Sequence, residues 1–278
     1  MGKGIFAGLE EMGLGNLKNA DIYGEKEEKP VKEAVAPKKI NEEDFLFDKT
    51  HECPVCNSSF RERTLRNGKA RLLGTDMDLR ARFEGIEPLK YDVVLCPRCG
   101  FTALNRYFVP MPGPQRKNIL EKISANCKYK QEAKNVYTFE EAISRYKIAL
   151  MNAVVKPGKD SEKAYICLRA GWLVRSYVES LEEENASADK IQEMKELEDE
   201  FLSNAYEGFA NARQSEGYPM CGMDEPTVDY LLAALAIRCK QYPVASKIIS
   251  SLLVSPSCGA RMKDRVRDLK EELLKAMK

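Results

Sequence analysis

Two hydrophobic patterns divide this chain of 278 residues. Before Pro110, apolar residues alternate with polar ones over short runs, such as Tyr91, Val93 and Leu95, and a period of two residues predicts short strands. After Pro114, apolar residues recur every three or four positions, which predicts a series of amphipathic helices. The pattern therefore predicts a mostly α-helical fold with a small β-containing module ahead of the helices.

The helical part carries start and stop signals and a repeated spacing. Thr138 to Glu141 has the sequence of a capping box, and Pro157-Gly158 predicts the end of the helix that follows. Three helices share a small residue, a large apolar residue four positions later and another apolar residue three positions after that. This spacing resembles the second helix of a tetratricopeptide repeat. The copies are Ala142-x3-Tyr146-x2-Ala149, Ala205-x3-Phe209-x2-Ala212 and Ala245-x3-Ile249-x2-Leu252. An ordinary helical bundle would show similar spacing, but we favour a tetratricopeptide-like domain.

Composition separates the chain into three segments. Residues 1–43 predict a disordered tail, because positions 25–43 are mainly Glu, Lys, Pro and Ala. Positions 1–24 hold apolar residues among glycines, which is typical of a short peptide that docks onto this protein or a partner, or of a frayed terminus. Residues 44–110 form the predicted metal-binding module, and residues 111–278 form the predicted tetratricopeptide-like helical domain.

Two Cys-x2-Cys pairs carry the clearest chemistry in the sequence. Cys53 and Cys56 form the first pair, Cys96 and Cys99 form the second, and 39 residues lie between them. Two cysteines three positions apart on a tight turn can direct both thiolates at one ion. Two such turns supply the four sulfur ligands of a closed, tetrahedral structural zinc site.

The residues that flank both pairs favour such turns. Pro54 and Pro97 restrict φ inside each turn. Asn57 and Gly100 follow the second cysteine of each pair, and both residue types tolerate a left-handed conformation that turns backbone N–H groups towards the sulfurs. We therefore predict one structural Zn²⁺ held by the four cysteines, although a four-sulfur site also suits iron.

Other uses of these cysteines fit the sequence less well. Disulfide bonds need an oxidising compartment, and no signal for export is evident. A redox Cys-x2-Cys pair normally opens a helix after a strand, and neither pair has this context. His51 lies two residues before Cys53 and could replace a sulfur, but four cysteines already complete the site. We therefore expect His51 to be a surface residue.

Charge and motif content argue against several classes of function. The net charge is +1, so the whole chain has no electrostatic bias towards nucleic acids or membranes. No apolar run has the length of a membrane span. His51 is the only histidine, a four-sulfur zinc has no open position for substrate, and the glycine-rich phosphate-binding motifs do not occur. We predict a non-enzymatic cytoplasmic protein.

Several of these motifs together resemble a known family. They are Cys53-Pro-x-Cys56 with Phe60, Asp76-x-Asp78, and Pro88-Leu89-x-Tyr91-Asp92-Val93-Val94-x-Cys96-Pro-x-Cys99-Gly-Phe101-x-Ala103. The chain is similar over about residues 48–275 to the bacterial family catalogued as domain of unknown function 2225. The resemblance implies a bacterial cytoplasmic protein with a metal-binding head and tetratricopeptide-like helices. It implies no known activity.

The helical part predicts a scaffold or adaptor for a protein or peptide partner. Stacked helix pairs build a concave groove that holds such segments. In the repeat register, aromatic and arginine side chains face this groove, and these residue types usually carry interface energy. The candidate partner-binding residues are Tyr165, Trp172, Arg175, Tyr230 and Arg238. Trp172 could equally be a core residue.

The alternative function is nucleic-acid binding by an arginine-rich hairpin. Asn67-Gly68 predicts a two-residue turn that pairs residues 61–66 with residues 69–73. Between positions 61 and 82, seven cationic residues face three acidic ones, a local charge of +4 that could contact phosphates. The candidate contacts are Arg61, Arg63, Arg66, Lys69 and Arg71. These cations could instead offset the charge of a four-thiolate zinc site. We expect Asp76 and Asp78 to form salt bridges or to belong to a turn. If the chain were extended there, their side chains would point to opposite faces of the strand.

Overall fold

The computed structural model, which describes residues 41–127 and 135–278, has antiparallel strand pairs followed by a series of α-helices. The predicted fold class, mostly α with a small β-containing part, is confirmed. The docking peptide at positions 1–24 and most of the predicted tail lie outside the described residues.

The described strands form three separate two-stranded sheets. They are β1 (Leu46–Glu52) with β2 (Ser59–Leu65), β3 (Leu72–Thr75) with β4 (Ala81–Phe83), and β5 (Val93–Leu95) with β6 (Thr102–Leu104). The predicted pairing of residues 61–66 with 69–73 is wrong, because the first cysteine pair reverses the chain and gives β2 its partner in β1. Asn67-Gly68 is still a turn: Gly68 has φ +73° and the Lys69 N–H donates to the Arg66 carbonyl.

The helices follow the strands along the chain. Their bounds are α1 (Gly113–Ile119), continued by a π-helical turn (Leu120–Ser124), α2 (Phe139–Val155), α3 (Asp160–Glu183), α4 (Ala188–Ser215), α5 (Glu225–Arg238), α6 (Tyr242–Val254) and α7 (Ala260–Ala276). From α2 onwards, each helix packs against the next one in the chain. No helix in the described ranges is both long and apolar enough to cross a membrane.

The repeated small-and-large spacing marks the buried faces of the helices. Tyr146, Phe209 and Ile249, which occupy the large position, are all buried. Small residues let α3 and α4 approach closely, because a Cβ added at Gly171 would lie 2.7 Å from a Leu202 methyl carbon. Burial of these positions explains the repeated spacing. The assignment of this spacing to tetratricopeptide repeats stays a prediction.

The strands share their core with the helices. Val93 in β5 and Leu104 in β6 belong to the same buried cluster as α2 and α3. A second cluster surrounds the cysteines, and a third joins Leu46 to Tyr91 and Tyr137. The hydrophobic core is therefore continuous across residue 110, and the boundaries predicted at residues 44, 110 and 111 stay predictions.

The capping box at the start of α2 is confirmed and allows a first prediction. The Thr138 hydroxyl accepts from the Glu141 N–H at 3.2 Å, and the Glu141 carboxylate accepts from the Thr138 N–H at 2.9 Å. Thr138→Ala should lower the free energy of unfolding by about 1 kcal/mol in urea denaturation, because one helix N–H loses its acceptor. Thr138→Ser keeps that oxygen and should stay near wild type. Equal loss in both variants would contradict the role of the cap.

Candidate metal centre

Four cysteine sulfurs converge at one point between two hairpins. The Sγ atoms of Cys53, Cys56, Cys96 and Cys99 all lie within 4.8 Å of one another. The Cys53–Cys99 and Cys56–Cys96 sulfur pairs are each 3.6 Å apart. A tetrahedron with zinc–sulfur bonds of about 2.3 Å has edges of about 3.8 Å, so the sulfur spacing fits such an ion closely. The predicted set of four ligands is therefore brought together.

Equivalent turns at the ends of two hairpins place these sulfurs. The Asn57 N–H donates to the Cys53 carbonyl at 2.8 Å, and the Gly100 N–H donates to the Cys96 carbonyl at 2.9 Å. Asn57 has φ +59° and Gly100 has φ +73°, so the predicted left-handed conformations are confirmed. The first turn joins β1 to β2 and the second joins β5 to β6.

Other side chains close the site around the cysteines. The Ser58 hydroxyl lies 3.0 Å from the Cys56 sulfur and 3.5 Å from the Cys96 sulfur. From α1, the Arg116 Nε donates to the Val55 carbonyl at 2.7 Å, so this helix covers the first turn. Sequence reasoning did not single out Ser58 or Arg116. For Ser58, a hydroxyl two residues after Cys56 was the available signal.

The close contacts between sulfurs shift the pKa values of Cys53, Cys96 and Cys99. The hydrogen bond with Cys53 lowers the pKa of Cys96, and the hydrogen bond with Cys96, together with burial, raises the pKa of Cys53 to about 12. The hydrogen bond with Cys53 also raises the pKa of Cys99. Cysteine ligates a metal as the thiolate, so a cation bound by these sulfurs would release the protons that they carry.

His51 is a packing residue beside this centre. The prediction that it lies on the surface is wrong, since only 8% of it is exposed. Its ring stacks on Phe60 at 5.9 Å between centroids and meets the edge of Phe108 at 5.8 Å. Burial, the largest cause, lowers its pKa, which keeps the imidazole neutral. The contacts with Phe60 and Phe108 explain why His51 is buried although most residues of β1 are exposed.

A buried ion pair ties β2 and β5 to α2. The Glu62 and Arg145 side chains are 2% and 3% exposed, and their charged atoms lie 2.6 Å apart. Arg145 also donates to the Val93 carbonyl at 2.9 Å, and the Tyr137 hydroxyl donates to Glu62. Val93 lies three residues before Cys96, so this network holds the strand that leads into the second cysteine pair. In the sequence, Glu62 is merely an acidic residue within a basic segment and Arg145 an arginine on a predicted helix, so nothing indicated that the two would pair.

Two of the predicted partner-binding residues bind a segment of their own chain. The ribbon, defined as β3 and β4 with the turn between them, lies against α3. The Trp172 Nε1 donates to Asp78 at 3.0 Å, and Arg175 forms an ion pair with Asp78 at 2.7 Å. Arg175 also pairs with Asp76 at 3.4 Å, so the expected salt bridges are confirmed. The chain is not extended at this point, because a turn that places Leu79 at φ +72° brings both aspartates to one arginine.

The other predicted partner-binding residues differ in exposure. Tyr230 is 1% exposed, and Trp172 is also buried, so neither offers a surface to a partner, which corrects their predicted place in an open groove. Tyr165 is partly buried beneath the guanidinium groups of Arg106 and Arg169. Arg238 keeps 45% of its side chain exposed and pairs with Asp199 at 2.9 Å.

Most cations of the predicted nucleic-acid site already have partners within the chain. Arg63 pairs with Asp48, Arg66 donates to the Leu46 carbonyl, Lys69 donates to the Asp44 carbonyl, and Arg71 pairs with Glu84. Arg61 is exposed on β2. These contacts reduce the charge available to phosphates, and nucleic-acid binding stays a prediction.

Comparisons with known proteins agree with the motifs. The family model described as "Uncharacterized protein conserved in bacteria (DUF2225)" matches residues 46–273, most of the chain. A protein of Borreliella burgdorferi named "Uncharacterized protein" is 27% identical over 120 residues. This match covers 36% of the present chain and 41% of that relative. No solved structure matches the chain.

Proposed function

From its membership of the bacterial family DUF2225, whose description names no activity, we propose that this chain is a non-enzymatic cytoplasmic scaffold held together by one structural Zn²⁺. The proposal rests on two parts of the molecule. One is a closed cysteine cluster, and the other is an open groove beside the ribbon. The groove carries the functional part of the proposal.

A structural role suits the metal centre. Cys53, Cys96 and Cys99 are buried and Cys56 is partly buried, so four sulfurs would surround an ion and exclude substrate. Zinc bound by four thiolates supplies folding free energy rather than Lewis-acid chemistry. Small two-stranded sheets bury too little apolar surface to be stable alone, which is the usual reason for such a site.

The groove suits a peptide. It has a volume of about 630 Å³ and lies between the tip of the ribbon and helices α4, α5 and α7. Its apolar lining is Met77, Leu202, Ala234, Leu235, Ile237 and Leu269. The charged residues of the lining are Arg175 and Arg238 together with Asp76, Asp78 and Glu272, and the exposed part of Arg238 remains available to a ligand. Apolar contacts flanked by arginine are typical of peptide-binding surfaces.

Selected peptides provide the test of this function. Peptides would be selected from a displayed library on the zinc-loaded wild-type chain, and their affinities measured by fluorescence anisotropy. Met77→Glu and Arg238→Glu should each weaken binding about tenfold or more, because both residues line the groove. Leu274→Glu is the matched control, since this leucine is 53% exposed on α7 and does not line the groove.

The outcomes separate the groove from the rest of the surface. Peptides that bind all three variants as tightly as wild type would contradict the proposed groove. Failure to select any peptide above background would contradict the scaffold function itself.

A further inference from the structure

A second cavity lies on the other side of the ribbon. It has a volume of about 370 Å³ and is walled by β4, the 3-10 turn Pro88–Tyr91, α3 and α5. Aromatic and aliphatic side chains form most of its lining, among them Phe83, Tyr165, Trp172, Leu79, Met223 and Leu231. This size and lining are those of a site for a small molecule.

Glu87 brings a carboxylate without a counter-ion to this cavity. One of its oxygens accepts from the Leu89 N–H at 3.0 Å, and the other accepts from the Ser176 hydroxyl at 2.5 Å. Both donors are neutral, and within the described residues no ion pair includes Glu87. Its burial raises the pKa of the carboxyl group. The charges of Arg80 and Arg169 act in the opposite direction on this pKa, but neither arginine contacts the carboxylate. A cation in the cavity would supply that direct contact.

Two arginines, Arg80 and Arg169, also line this cavity, and each already forms an ion pair with a carboxylate of the chain. The Arg169 Nε lies 2.6 Å from an Asp92 oxygen. Arg80 is held between Asp76 at 2.7 Å and Glu179 at 2.6 Å, and it reaches Glu87 only through the Ser176 hydroxyl. Neither guanidinium group therefore serves as the direct partner of Glu87. The cavity offers one carboxylate within aromatic walls.

We propose that this cavity binds a small organic ammonium ion, with Glu87 as its counter-ion and Phe83 and Trp172 as aromatic walls. The faces of aromatic rings attract cations, and the attraction is stronger where water is excluded. The aliphatic side chains take the apolar body of the ligand. This site is separate from the metal centre and from the peptide groove.

Trp172 reports on the test directly, because it is the only tryptophan in the chain and it lines the cavity. Benzylammonium is the probe and benzyl alcohol is its neutral counterpart of similar shape, both titrated into the zinc-loaded wild-type chain. Benzylammonium should change the Trp172 fluorescence saturably, and benzyl alcohol should bind at least about tenfold more weakly. This comparison requires no variant.

A charge-neutral variant then identifies the carboxylate. Glu87→Gln should weaken benzylammonium binding about tenfold and leave benzyl alcohol unchanged. Glu84→Gln is the control, since Glu84 follows β4 but pairs with Arg71 on the surface. Equal affinity for both probes in the wild type, no saturable fluorescence change, or undiminished benzylammonium binding by a folded Glu87→Gln chain would each overturn the proposal.

Discussion

Replacing Cys96 by serine should release the metal and unfold the part of the protein built around it. The Cys96 sulfur lies 3.6 Å from that of Cys56, and all four ligand sulfurs fit one tetrahedral ion. Structural zinc contributes about 10–16 kcal/mol in zinc-finger peptides at neutral pH, so loss of one ligand removes a large fraction of the stability. Elemental analysis should find the metal content falling from one zinc per chain towards zero. The melting temperature should fall by roughly 10 °C or more.

The control for this experiment is another cysteine outside the cluster. Cys239 is partly buried at the end of α5, and Cys239→Ser should keep one zinc per chain and a melting temperature near wild type. A Cys96→Ser chain that retained stoichiometric zinc, or a wild-type chain purified with iron, would contradict the proposed zinc site. A metal-free wild-type chain with unchanged stability would contradict its structural role.

Replacing Arg145 by methionine should lower the free energy of unfolding by about 3–5 kcal/mol. The substitution leaves the Glu62 carboxylate buried without its charged partner, and breaking one side of a buried ion pair carries this cost. The Val93 carbonyl also loses its donor next to the second cysteine pair. Urea denaturation of the zinc-loaded protein measures the loss.

Two further variants show whether the loss of stability in Arg145→Met arises from the unpaired carboxylate of Glu62. Adding Glu62→Gln to Arg145→Met should recover part of the lost stability, because the double variant leaves no unpaired carboxylate. Arg63→Met removes a pair with Asp48 at the surface and should cost less than about 1 kcal/mol. A cost for Arg145→Met as small as that for Arg63→Met would show that the buried pair contributes little.

The cysteine cluster was predictable because the geometry of each turn is encoded locally. Each Cys-x2-Cys turn needs only its own prolines and a residue that tolerates positive φ, and Asn57 and Gly100 both adopt this conformation. The capping box at Thr138 is local in the same way. That the two turns lie close together in space does not follow from either local sequence. We could predict it only because a zinc ion takes four sulfur ligands and each turn provides two.

Strand pairing and the buried polar contacts could not be predicted in this way. Asn67-Gly68 suggested a hairpin between the residues on either side of it. In the structure, β2 pairs instead with β1 across the first cysteine turn. A local turn signal does not indicate which of two possible partners a strand takes. Glu62 and Arg145 are 83 positions apart, and Asp78 and Arg175 are 97 apart. Nothing in either neighbourhood identifies the partner. Trp172 and Arg175 were candidates for an external partner, whereas in the structure both contact the ribbon of the same chain.

The position of the ribbon on α3 makes the two parts of the chain depend on each other electrostatically. Asp76 and Asp78 belong to the strand-containing part, and their partner Arg175 belongs to the helical part. A substitution on either side leaves charge without its partner on the other side. Dividing the chain at the proline-rich segment near residue 112 would therefore separate both aspartates from the arginine that neutralises them.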